Sequence, residues 1–207
     1  MRAPGPSHDG VSGGLIAGIP GAGKTTLIDR AAKSSDWTVL DPDRFRRRLS
    51  PVLRRLPVPY PLYVLGIVVA IARHTQVVVE SRGTYGWLRR LVAACARIRG
   101  REAVLVLLDA PPGDAIAGQK SRGRVAPAPL MRWDTERWGR LLDGARKGAL
   151  AAEGWGRVVV LDRAQASNVE DLGELVRGPS GVSRDSNEGG QADDRAFVDA
   201  TPSGVDG

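Results

Sequence analysis

Between residues 11 and 177 short apolar runs alternate with amphipathic stretches, and turn-forming residues separate them. Val11 to Ala17 reads as a first strand, Gly18 to Gly23 as a loop and Lys24 to Lys33 as a helix. Trp37 to Leu40 is a second strand ending at Asp41, and Asp43 to Leu49 a helix. Pro51, Pro57, Pro59 and Pro61 predict an irregular connection over Ser50 to Pro61. Pro61 then suits the first position of an apolar helix reaching His74, since a helix start leaves that N–H unpaired anyway. Gln76 to Glu80 is a third strand, and Trp87 to Ile98 a helix with Trp87, Leu91, Cys95 and Ile98 as its apolar stripe. Ala103 to Leu108 is a fourth strand ending at Asp109, Pro112 to Lys120 a helix, and Ser121 to Pro129 a break. Leu130 to Ala152 is helical, Arg157 to Leu161 a fifth strand and Val169 to Arg177 a closing helix.

Runs such as Val77, Val78 and Val79 are apolar without alternation, as expected of strands buried on both faces of a parallel sheet. Strands alternating with helices predict a three-layer α/β/α sandwich around a five-stranded, mainly parallel sheet. Residues 11–177 form that domain, after a flexible N-terminus at 1–10. From Gly178 to Gly207 large apolar residues are sparse and Gly, Ser, Asp and Asn dominate, which predicts a disordered acidic tail.

The loop after the first strand carries the sharpest signal. Gly18-Ile19-Pro20-Gly21-Ala22-Gly23-Lys24-Thr25 matches G-x-x-x-x-G-K-[ST] in full, with an apolar strand before it and an amphipathic helix after it. Gly18, Pro20, Gly21, Ala22 and Gly23 shape a cradle whose backbone N–H groups turn toward a phosphate, and Cβ atoms on Gly21 or Gly23 would obstruct that approach. The helix start adds its positive end. Lys24 reaches the β- and γ-phosphates, Thr25 offers its hydroxyl to Mg²⁺, and Thr26 stands by the α-phosphate. Lys24 is expected to face the phosphates rather than the core. ATP or GTP and magnesium are therefore the expected ligands.

Composition changes the picture in three ways. Residues 178–207 carry two arginines against six acidic residues, a net of −4, so the formal +7 of the chain becomes +11 for residues 1–177. A basic body suits nucleotides, phosphosugars or nucleic acid. Cys95 is the only cysteine, which excludes an internal disulfide and reads as a buried structural thiol. Met1 to Gly10 lacks an apolar signal core, and the longest apolar run, Leu62 to Ala72, has 11 residues and is too short to span a bilayer. These features predict a cytoplasmic protein with no membrane partner, and give no sign of its oligomeric state.

GIPGAGKTTLIDR, then LDPDRFR, VVVES and QKSRGR resemble the small P-loop kinases: the gluconate-kinase-like, polynucleotide-kinase-like, chloramphenicol-phosphotransferase-like and zeta-toxin-like enzymes, often grouped as AAA-type ATPases. The resemblance covers Val11 to about Arg177 and is strongest toward actinobacterial members. It implies the P-loop NTPase version of the sandwich, with a small lid. It also implies an acidic residue at the end of the second strand that holds the acceptor hydroxyl and takes its proton. Asp41 and Asp43 are the candidates: Asp41 ends the strand, and Asp43 alternatively caps the following helix. Arg44 would hold an anionic substrate. Glu80 occupies the Walker B position, where Asp is commoner, and would hold magnesium through its water shell. Ser81 and Arg82 would line the acceptor pocket, drawn from Pro51–Tyr63 and Ser81–Trp87. Gln119 would meet the nucleotide, while Arg122 and Arg124 would close over the phosphates as lid arginines, with Gly118 and Gly123 as hinges.

The function expected is ATP-dependent phosphoryl transfer to a hydroxyl of a small molecule or a nucleic-acid end. The alternatives are an ATPase and a nucleotide-dependent binding module acting on RNA or a protein partner. An Asn-Lys-x-Asp guanine-reading motif is missing, and the chain is too short for a hexameric motor with its helical lid domain. Deleting Gly178–Gly207 is expected to leave the melting temperature and nucleotide affinity nearly unchanged. A large drop in calorimetric melting temperature would show that the segment docks on the domain.

Overall fold

The computed structural model describes residues 11–33, 36–55, 59–120, 123 and 127–177. Its strands are β1 (Val11–Ala17), β2 (Thr38–Leu40), β3 (Val77–Ser81), β4 (Glu102–Asp109) and β5 (Arg157–Asp162). All pair in parallel, in the order β2-β3-β1-β4-β5. The chain moves outward from β1 to β2, returns through β3, and then crosses β1 to reach β4. The crossover direction thus reverses beside β1, which opens a crevice at its carboxyl end. In register, Ile16 lies opposite Glu80 and Ala17 opposite Ser81.

Helices cover both faces of this sheet. On one face α4 (Pro59–Arg73) and α5 (Gly86–Ile98) bring Ile71, Val92 and Ala96 against Gly13, Val77, Val79 and Ala103, leaving a void of only about 10 Å³. That is at the lower limit of the room a water molecule needs. On the other face α9 (Leu172–Arg177) sets Val176 against Gly14. Beside it, Arg30 of α1 (Lys24–Ala31) donates from Nε to Val169 O (3.0 Å) and also bonds Ala166 O. Val77 to Val79 and Ala103 to Leu108 are buried throughout, as their unbroken apolar runs predict. Burying each such valine or leucine contributes about 1.5–3 kcal/mol, which makes the sheet the main source of stability.

The chain departs from the sequence reading in four places. Ser50–Pro61 is not wholly irregular: α2 (Pro42–Arg48) is followed by α3 (Pro51–Arg55), and α4 starts at Pro59. Prolines there open helices rather than prevent them. The long helix expected to Ala152 stops earlier. α7 (Ala128–Arg146) ends ahead of Gly148, which takes a left-handed conformation (φ 70°), and a 3₁₀ turn (Ala149–Glu153) follows. A further helix, α8 (Arg163–Asn168), begins on a reciprocal cap: Asp162 accepts from Gln165 N and Gln165 accepts from Asp162 N. Finally, α5 buries Leu88, Val92, Ala93 and Ala96, not the expected stripe. Trp87 and Ile98 are exposed and Cys95 is half-buried, its thiol pushed up by burial. Both stripes have helical spacing. The buried Arg89–Glu153 ion pair (2.5 Å) shows which face turns inward.

The expected N-terminal segment and acidic tail, 1–10 and 178–207, lie outside the described residues. Among the described residues no helix is long and apolar enough to cross a membrane. One close approach pins the site's framework. Gly83, in the turn after β3, has φ +75°, and a Cβ there would come within 2.4 Å of Ala17 Cβ at the end of β1. Gly83→Ala is expected to cost on the order of 3 kcal/mol, combining left-handed strain with overpacking. Thermal denaturation should register a loss of roughly 6–12 °C.

Candidate functional site

The loop between β1 and α1 hangs at the crevice. Gly23 takes a left-handed conformation and Leu27 N donates to Gly23 O (3.0 Å), which starts α1. Lys24 is buried, contrary to the exposed position expected. Its Nζ donates to Gly18 O (2.7 Å) and Ile19 O (3.2 Å), so the ammonium braces the loop that surrounds it. Gly21 is required by its neighbour helix as much as by any phosphate. At φ +93° its Cβ would lie 2.0 Å from Ala115 O of α6 (Pro112–Lys120). Gly118 is in turn so close that its Cβ would meet Gly21 O at 2.7 Å. Gly118 therefore marks a packing contact rather than the expected hinge. Gln119 is buried beside it, with Nε2 donating to Pro20 O (2.9 Å) and touching Met131 Sδ (3.0 Å). In this structure it ties α6 to the loop. Thr26 is exposed at the first turn of α1.

Strand register delivers the acidic side of the site. Glu80, at the end of β3, has both carboxylate oxygens 3.4 Å from Thr25 Oγ1. Burial pushes its carboxyl up, with Asp41 and Asp43 adding to the rise, while Lys24 and the Thr25 hydroxyl oppose it. The structure thus brings Lys24, Thr25, Asp41, Asp43 and Glu80 into one electrostatic neighbourhood. A desolvated carboxylate facing a threonine hydroxyl fits a hard divalent cation. Among the described residues no cluster of three or more His, Cys, Asp or Glu could hold a metal alone. Thr25 and Glu80 would therefore share Mg²⁺ with phosphate and water ligands.

Capping falls to Asp41 and not to Asp43. Asp41 is buried, and its Oδ1 accepts from Asp43 N (2.7 Å) and Arg44 N (3.2 Å) at the start of α2. Its Oδ2 lies 3.4 Å from Arg44 Nε, and Arg44 also pairs with Asp29. An aspartate immediately before Pro42 at the first helical position is the favourable cap arrangement. Asp43, one residue beyond that proline, is exposed.

Two residues of the site have roles the sequence reading did not assign, Tyr63 within the Pro51–Tyr63 stretch and Asp134 outside every candidate stretch. Tyr63 of α4 is buried and its hydroxyl proton is shared between Leu40 O (3.0 Å) and Glu80 O (2.9 Å), tying the ends of β2 and β3. Burial, followed by Glu80 and Asp41, pushes its phenol far up, so it remains a donor. Asp134 of α7 is fully buried and its Oδ2 pairs with Arg82 Nη1 (3.2 Å). A buried carboxylate costs several kcal/mol to desolvate, and removing Arg82, its one ionic partner among the described residues, would leave that cost uncompensated. The signal for Asp134 was present: an acid inside the apolar stripe Met131, Trp138, Leu141, Leu142 and Ala145. Ser81 Oγ accepts from Gly83 N (3.1 Å) and so shapes the turn carrying Arg82. Arg122 and Arg124, the expected lid arginines, lie outside the described residues.

Across the loop, a cavity of about 350 Å³ is bounded by Ile19, Asp109, Pro111, Thr135, Trp138 and Asp162. Its two carboxylates serve the fold: Asp109 pairs with Arg146 (3.3 Å) and Asp162 caps α8.

The family signature of the AAA domain matches residues 15–145, well over half of the chain, and spans the cradle, Glu80 and most of α7. The chain belongs to the AAA domain family. Its fold is that of the P-loop kinases. The PezAT toxin–antitoxin system of Streptococcus pneumoniae includes a chain with TM-score 0.57 and 16% identity, over 82% of this chain and 76% of that one. A putative kinase from Chloroflexus aurantiacus gives 0.55 and 12%, over 80% and 95%. A gluconokinase from Sinorhizobium meliloti gives 0.53 and 20%, over 81% and 89%. At these identities the likeness is one of fold. No curated protein matches this AAA domain in sequence.

Glu80 sets a pH dependence for the AAA domain without nucleotide. Because its folded carboxyl is raised, the folded state holds a proton that the unfolded state has already released. The associated stability is present below the ordinary glutamate range and is lost as pH rises through the raised value. Glu80→Gln is expected to abolish that decline in chemical denaturation and to match or exceed the wild type at neutral pH. A variant less stable than wild type throughout would show that the carboxylate supports the empty fold.

Proposed function

We propose that this AAA domain transfers the γ-phosphoryl group of ATP to a hydroxyl of an acceptor. The observation that carries the reading is that two unlike walls meet at Glu80: Thr25 of the cradle lies 3.4 Å from its carboxylate, and the charges of Asp41 and Asp43 act on it. One wall is the phosphate cradle with Lys24 and Thr25. The other is the acidic turn Asp41–Arg44, which offers Asp43 to solvent. A cradle alone serves any nucleotide-binding protein, whereas a solvent-exposed carboxylate near it can serve an incoming hydroxyl.

Each residue then has a task. Lys24 exchanges two neutral carbonyl acceptors for the β- and γ-phosphates, where its bonds become charge-assisted. Thr25 and Glu80 would hold Mg²⁺, which would supply positive charge against the phosphates. Asp43 accepts the acceptor's O–H proton while that oxygen bonds the γ-phosphorus. The bond from the γ-phosphorus to the bridging oxygen breaks, and ADP leaves with that oxygen. Asp41 anchors the start of α2 and so positions Asp43. Arg44 sits beside both and suits an anionic acceptor. Gln119 holds the loop against α6, and the family resemblance makes Arg122 and Arg124 the lid arginines. The ATP requirement fits a cytoplasmic protein.

Two variants separate the aspartates. Asp43→Asn should keep the melting temperature and Mg·ATP affinity but slow transfer by about 10²–10⁴-fold, the usual range for a lost general base. Asp41→Asn keeps a capping residue and should slow transfer by less than about tenfold. Labelled ATP with panels of metabolites, antibiotics and 5′-hydroxyl oligonucleotides would measure both. Full activity in Asp43→Asn with none in Asp41→Asn reverses the assignment. Slow ATP hydrolysis with every acceptor would replace kinase by ATPase.

A further inference from the structure

The acceptor side of the crevice carries an aromatic group that the fold does not consume. α4 begins, and α5 follows β3, at the same carboxyl edge as the cradle. Their first turns bring Tyr60 against Tyr85 (centroids 6.4 Å) and against Trp87 (6.1 Å, 84° between planes). These rings remain 42%, 36% and 49% exposed. Large aromatics clustered in the open mark a binding surface more often than a packing one.

A cation stands with them. Arg82 lies in the turn between β3 and α5 that leads into Tyr85, and its side chain is 45% exposed. It is not loosely placed, because Asp134 holds it from below. Asp134 Oδ2 accepts from this guanidinium, while Oδ1 has no hydrogen-bond partner among the described residues. The turn that carries Arg82 is fixed again by Arg89, which donates to Gly83 O and pairs with Glu153. The buried Asp134 carboxylate and the buried Arg89–Glu153 pair therefore hold the turn that carries this half-exposed arginine, three residues before Tyr85. Further out, α2 packs on α4 through Phe45 and Tyr63 (5.7 Å) and presents Arg46, Arg47 and Arg48 at the surface.

Rings beside fixed cations recognise one chemistry well: a flat base joined to phosphate. Bases stack on aromatic faces, and guanidinium groups take the backbone charge. A plain sugar would use the rings but bring no phosphate to the exposed arginines. We propose that Tyr60, Tyr85, Trp87 and Arg82 form an acceptor shelf for a single-stranded oligonucleotide, whose terminal hydroxyl is then presented to Asp43. This rests on the phosphotransfer reading, to which it adds the acceptor class.

The test is fluorescence anisotropy of a 3′-labelled hexathymidylate with a free 5′-hydroxyl, with Mg²⁺ and saturating non-hydrolysable ATP analogue. Wild type should bind it, more weakly as salt rises. Tyr60→Ala and Trp87→Ala should each weaken binding by roughly 5- to 100-fold. Arg82→Gln should flatten the salt slope by about one. Ile98→Ser, an exposed apolar site on the far end of α5, should change nothing. Melting temperatures of the ring variants should equal wild type, which excludes misfolding as the cause. Equal affinity of wild type and ring variants overturns the shelf. So does competition by maltohexaose or by thymidine 3′-monophosphate as effective as that by unlabelled hexamer. Tight, ring-dependent binding without transfer from ATP would leave the shelf standing and defeat the kinase reading. Transfer to a sugar, with no oligonucleotide binding, would do the reverse.

Discussion

The register of β1 between β3 and β4 is the constraint from which the site follows. Parallel strands put every carboxyl end on one edge, and the pairing of Ile16 with Glu80 sets how far each chain projects there. The loop after β1 can then drop Thr25 within 3.4 Å of Glu80. A slip of one residue would turn Glu80 to the opposite face and bring Val79 or Ser81 to its place. Tyr63 secures the arrangement laterally, because its one hydroxyl holds the ends of β2 and β3 at once. Asp41, following β2, is thereby fixed relative to Glu80 although the two strands are short.

Around this edge the protein keeps several charges out of water, and each is answered differently. Arg89 and Glu153 answer one another in a bidentate pair. Lys24 is answered by backbone carbonyls, an arrangement a phosphate can displace. Asp134 is answered by an arginine that is itself half in solvent. Glu80 is answered least, by a hydroxyl and a lysine already engaged elsewhere. The gradient from satisfied to unsatisfied charge runs toward the crevice, as expected where function rather than stability sets the arrangement.

Much of this could be read from sequence because it depends on local rules. The cradle is a contiguous motif, and the five strands are contiguous apolar runs. Asp41 and Asp43 were both legible as candidates, but their division of labour was not. It depends on Pro42 occupying the first helical position, which makes the residue before it the cap. The stripe on α5 was misread by one position because two helical faces had similar apolar content. Only the tertiary Arg89–Glu153 pair distinguishes them. Asp134 and Tyr63 act across 52 and 17 residues of chain, a separation that no local pattern encodes.

The seating of α6 on the loop bears on how the protein meets a nucleotide. Gly21 and Gly118 approach so closely that neither tolerates a side chain, and Gln119 locks the contact to Pro20. One wall of the cradle is consequently built from a helix that follows β4, some 90 residues away in sequence, and is fixed before any ligand arrives. Its ordering entropy is met during folding, not during binding, so a phosphate meets a wall whose shape is already set and need not be moulded at the ligand's expense.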